Sequence, residues 1–160
     1  MELVGVRVEA PSNTPILLLR ERSGARRLLP IFIGPQEANA IVFALDEVVT
    51  QRPMTHDLFR EVLDDLGVSL EKVTVTKVLD GVFHAELELN ARDGVHTISS
   101  RTSDAVALAA RTGSPIFATD SLLDEAGFIE APGDDEEGET EVVEQFREFI
   151  DSVNPEDFEV

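Results

Sequence analysis

Apolar residues recur at two spacings along this chain, and the changes between them mark out its elements. Val4, Val6 and Val8 alternate with Leu3, Gly5, Arg7 and Glu9, the period of a strand. Apolar runs at 16–19 and 28–33 flank Ser23-Gly24 and predict a hairpin with buried inner parts. From Val68 to Ser99 the signal is again β. Val73, Val75 and Leu79 alternate with Thr74, Thr76 and Val78, Asp80-Gly81 is a two-residue turn, and Phe83, Ala85, Leu87 and Leu89 share one face. Asp93-Gly94 marks a further hairpin, and Pro115 to Thr119 reads as a short buried strand.

Helical spacing fills the gaps. Gly34-Pro35 opens a helix in which Ile41, Leu45, Val48 and Val49 recur, with Ala38 and Val42 beside them. Thr55 is the expected N-cap of the next, with Phe59, Val62, Leu63 and Leu66 on its apolar face and Gly67 as its stop. Between Asp104 and Arg111 every residue is Ala, Val or Leu. A helix apolar all round belongs in a core. Thr102 or Ser103 is its expected cap, and Gly113 its stop. Asp120 is expected to cap a short helix carrying Leu122, Leu123 and Ala126. Together these elements predict an α+β fold: a mixed, mostly antiparallel sheet packed around a buried central helix, with additional flanking helices.

One domain is expected over 1–129, an acidic disordered linker over 130–141, and an amphipathic helix and tail over 142–160 that carries Val142, Val143, Phe146, Phe149 and Ile150. Among 160 residues there is no cysteine, which rules out disulfides and thiolate metal sites. The net charge of −19 is uneven: residues 130–160 hold 13 acids and one base, Arg147, for −12, against −7 for residues 1–129. That balance argues against binding nucleic acid through bulk phosphate neutralisation. No run reaches transmembrane length and no signal pattern opens the chain, so no membrane association and a cytoplasmic location are expected.

Candidate chemistry concentrates at helix starts. Glu37, the adjacent His56 and Asp57, and the Arg101, Ser103, Asp104 group each fall in or beside a first turn. Acids there match the helix dipole, and a histidine there is a candidate general base or metal ligand. Adjacent helical residues face different ways, so His56 and Asp57 are not a dyad by themselves. Two other groups have plainer readings beside sharper ones. Arg20, Arg22, Arg26 and Arg27 read as a solvated hairpin end or a phosphate contact. His84, Glu86 and Glu88 read as the wet face of a sheet or a divalent-cation row.

Four stretches, Leu29 to Ala38, Arg52 to Leu58, Arg101 to Leu108 and Pro115 to Phe117, resemble in order and spacing the bifunctional nuclease family. The Phe146 to Phe158 segment resembles a tail of short actinobacterial members. The resemblance implies a compact α+β domain, a homodimer, and nuclease activity on DNA and RNA. Glu37, Thr55, His56, Asp57, Arg101, Ser103 and Asp104 match its motifs. The chain departs from the family pattern at Ser99, where Asp is usual, and at Thr102, where Pro is usual.

Phosphodiester cleavage requires an activated water or a metal, together with charge stabilisation at the phosphate. The expected roles are His56, Asp57 and Asp104 in catalysis, with His56 as the base. Arg101, Ser103 and Thr55 would bind substrate, and Glu37, Asp57 and Asp104 would hold Mg²⁺ or Mn²⁺. The alternative is a non-catalytic dimeric regulatory or protein-interaction module in which Arg101 and Arg111 pair with acids near the core. A weaker third reading is a site for an anionic metabolite at the helix starts. The reading of the site requires three separated helix starts to meet around one alanine-rich helix.

Overall fold

The computed structural model describes residues 1–9 and 12–129. The expected linker and terminal helix lie outside them. The chain runs β1 (Glu2–Glu9), β2 (Thr14–Arg20), β3 (Arg27–Phe32), α1 (Pro35–Leu45), α2 (Thr55–Asp65), β4 (Ser69–Leu79), β5 (Val82–Ala91), β6 (Gly94–Arg101), α3 (Thr102–Thr112), β7 (Ile116–Ala118), α4 (Asp120–Ala126) and β8 (Phe128–Ile129). The α+β class holds, but the strands form two four-stranded sheets rather than one. Their orders are β1-β2-β3-β8 and β6-β5-β4-β7. Only the β4–β7 pairing is parallel among the described strands.

Local chemistry explains most element boundaries. Asp80 and Gly81 take φ of 50° and 72°, the left-handed pair that a tight hairpin between β4 and β5 requires. Ile16 to Leu19 are fully buried, which accounts for a continuous apolar run where an amphipathic strand would alternate. α3 buries Ala105 to Ala109 in the main core with Leu17, Leu29, Ile41, Val73, Val75 and Leu87. Its small side chains let α1, α2, β4 and β5 all approach it closely.

Several expectations are corrected. Helix caps sit one residue earlier than the sequence suggested: Met54 rather than Thr55, Arg101 rather than Thr102 or Ser103, Thr119 rather than Asp120. Thr119 Oγ1 does accept the Leu122 N–H at 3.3 Å. At α2 the missing side-chain cap is replaced by Asp57, whose Oδ2 accepts the Met54 N–H at 3.0 Å. α1 ends at Leu45, and Glu47 takes φ of 50°, so Val48 and Val49 leave the helix and Val49 is 94% exposed.

Of the expected apolar face of α2, only Leu63 is buried; Phe59, Val62 and Leu66 face solvent along with Leu58. α2 presents polar side chains to α3 instead. Of the arginine cluster, Arg22 and Arg26 are exposed, as a solvated hairpin end predicts, and the other two are not. Arg20 is buried, and Arg27 is held by Glu21 at 3.0 Å and Asp124 at 2.6 Å.

Candidate active site at three helix starts

The first turns of α1, α2 and α3 come together because both outer helices pack on α3. Arg111, in the last turn of α3, locks them there. Its Nη1 donates to the Ala40 carbonyl of α1 at 2.8 Å and to the Ala107 carbonyl at 2.9 Å, and its Nε donates to Asp57 Oδ1 of α2 at 2.6 Å. The Arg111 side chain is only 6% exposed, so this charge is enclosed, and Asp57 is its ion-pair partner.

The cleft above this lock has a volume of about 410 Å³. Glu37, Thr55, His56, Arg101 and Asp104 line it, with Gln36, Asn39, Ala40, Phe43, Met54 and Arg111. His56 Nε2 lies 3.1 Å from Asp104 Oδ1. A carboxylate only accepts, so Nε2 carries a proton, and in the neutral imidazole Nδ1 is the acceptor. Arg101 grips the same carboxylate from the other side, Nε to Oδ2 at 2.7 Å and Nη2 to Oδ1 at 3.1 Å. Its Nη1 donates to Glu37 Oε1 at 2.9 Å. Burial acts to raise the Asp104 pKa, but the hydrogen bonds from Arg101 and then His56 outweigh it, and the carboxyl titrates below its ordinary value. The Arg101 guanidinium is held more firmly protonated, chiefly by Asp104.

Five of the seven candidate residues therefore share one cleft. Asp57 turns away from His56, as neighbours on a helix must, and gives both oxygens to Arg111 and the Met54 N–H. The hydrogen bond from Arg111 holds its pKa low. Asp57 and Arg111 also wall a second hollow of about 550 Å³ bounded by Val48, Val49 and Pro53. Ser103 is buried in the first turn of α3 and does not line the cleft.

The carboxylates expected to hold a cation do not gather. Asp57 belongs to the Arg111 lock, and Glu37 and Asp104 are separated by Arg101. Among the described residues no group of three His, Cys, Asp or Glu side chains is placed to hold a metal ion. This donor set, as arranged, does not fit Mg²⁺ or Mn²⁺.

Sequence reasoning gave Arg111 an acidic partner near the core but not its identity, nor its role in closing the floor of the cleft. The one local signal was a single charge ending an otherwise apolar helix.

Residues 17–131 match the bifunctional nuclease domain. The chain belongs to the bifunctional nuclease domain family. An uncharacterized protein of Mycobacterium tuberculosis, present in two strains, is 44% identical over 162 residues, with 99% of this chain and 96% of the relative covered. Bifunctional nuclease 2 of Oryza sativa subsp. japonica is 30% identical over 74% of this chain and 37% of its own length. Bifunctional nuclease 1 of Arabidopsis thaliana is 30% identical over 64% of this chain and 32% of its own length. The bifunctional nuclease domain match takes in all three helix starts that build the cleft. No helix among the described residues is long and apolar enough to cross a membrane.

Proposed function

We propose that the chain hydrolyses phosphodiester bonds of DNA, RNA or both, with His56 as general base. The observation that supports this best is the His56–Asp104 pair at 3.1 Å on the wall of an open cleft, with Arg101 beside it. Asp104 fixes the imidazole with its proton on Nε2. Nδ1 takes a proton from water, the water oxygen forms a bond to phosphorus, and the bond to the leaving oxygen breaks. That oxygen takes a proton from solvent. Arg101 is the cation that meets the phosphate charge.

The test is single-turnover cleavage of single- and double-stranded DNA and RNA, with and without EDTA. His56→Ala and Asp104→Ala are each expected to slow cleavage by at least about 100-fold at retained fold stability. Unchanged rates in both would overturn the assignment.

A second reading draws on a different observation. Leu58, Phe59, Val62 and Leu66 are 42–62% exposed along one side of α2. Exposed apolar stripes of this kind are a feature of protein contact surfaces. This one supports a homodimer joined through α2, which is compatible with catalysis and equally with a non-catalytic interaction module.

A further inference from the structure

We propose that Glu37 is a built-in competitor of the substrate phosphate. It occupies the part of Arg101 that Asp104 leaves open, and it swings aside when nucleic acid binds. The inference rests on the nucleic-acid reading of the cleft.

The guanidinium presents two edges. Nε and Nη2 are taken by both oxygens of Asp104, a bidentate grip. Nη1 gives one of its two N–H groups to a single Glu37 oxygen. Among the described residues the Glu37 carboxylate has no other hydrogen-bond partner. The two contacts differ accordingly: Asp104 holds with two bonds and Glu37 with one, and the shared Arg101 side chain is 64% exposed, so a solvent-borne anion can reach it. A phosphodiester and a carboxylate are both monoanions that offer oxygens to a guanidinium, so they compete for the same donor.

Room for the carboxylate is provided by Gly34. A Cβ at that position would collide with Glu37 Oε2, so glycine lets the side chain fold back over the start of α1. The backbones of α1 and α3 are meanwhile tied together by Arg111 through the Ala40 and Ala107 carbonyls. Exchange of partners on Arg101 therefore requires one side chain to rotate and no helix to move. With Glu37 and Asp104 both on Arg101, the cluster carries a net negative charge that opposes a phosphate. Neutralising Glu37 removes that opposition.

The experiment is fluorescence anisotropy with a labelled single-stranded DNA of about 12 nucleotides at low salt. Glu37→Gln is expected to tighten Kd about five- to tenfold. Glu125→Gln, an exposed acid on α4, removes the same charge elsewhere and is expected to change Kd less than about twofold. Arg101→Gln combined with Glu37→Gln is expected to lose the gain. In turnover, Glu37→Gln lowers KM. Tightening no greater than that of Glu125→Gln, or no detectable binding by either protein, would overturn the proposal. The two readings separate cleanly. Tightening without any cleavage by the wild type defeats the nuclease assignment alone. Cleavage that depends on His56, without tightening, defeats the competitor alone.

Discussion

Arg111 Nε meets Asp57 Oδ1 at 2.6 Å and joins the last turn of α3 to the first turn of α2 across 54 residues of sequence. His56, the residue before Asp57, meets Asp104 Oδ1 at 3.1 Å in the first turn of the same α3. Removing one partner of an enclosed pair leaves the other charge uncompensated. Arg111→Ala is expected to destabilise the fold by about 3 kcal/mol in urea unfolding. Arg111→Lys is expected to recover less than half of that, because an ammonium cannot reproduce the three-way fork.

Acid should act on the same joint. The folded pKa of Asp57 lies below its ordinary value of 3.8, first because of the hydrogen bond from Arg111, and Asp104 is lowered by Arg101 and His56 against its burial. A depressed carboxyl contributes stability that is present above the unfolded pKa and lost as pH falls through the folded one. The urea midpoint is therefore expected to be flat above about pH 5 and to drop below about pH 4. Arg111→Met should shrink that drop, which a pH series of unfolding curves would reveal.

Thr102 offers a gain. Its side chain is 2% exposed and its Oγ1 has no hydrogen-bond partner among the described residues. An unsatisfied buried hydroxyl costs on the order of 1–3 kcal/mol, while its apolar isostere costs nothing in hydrogen bonds. Thr102→Val is expected to raise stability by about 1 kcal/mol, read as a higher melting temperature. Thr102→Pro is expected to be tolerated, since the residue opens α3, where proline fits.

Self-association is tested on the outside of α2. Leu58 and Leu66 are 54% and 62% exposed, so charge there disturbs little of the core. Leu58→Glu with Leu66→Glu is expected to leave thermal stability of the monomer within about 1 kcal/mol. Sedimentation velocity should show the wild type as a dimer and the variant as a monomer.

Much of this was legible in the chain. The all-apolar stretch after Asp104 named the buried helix, because no amphipathic alternative exists for it. Asp80-Gly81 named its hairpin through backbone sterics. The family motifs at Glu37, His56, Arg101 and Asp104 named residues that do share a cleft. What escaped was decided by distant partners. Thr55 and Thr102 are good caps in isolation, but Asp57 supplies the first-turn bond in one helix and burial of Thr102 removes the choice in the other. The apolar spacing of α2 indicated a face but not its direction, and the polar first turn of the helix, drawn to Asp104 and Arg111, rotated that face outward. The pairing of Arg101 with Glu37 spans 64 residues and leaves no local trace.

The placement of Arg111 has a spatial consequence. One guanidinium forms part of the wall of both the 410 Å³ cleft and the 550 Å³ hollow behind it. The two spaces are like rooms sharing a partition, with Val48 and Pro53 on one side of it and His56 on the other.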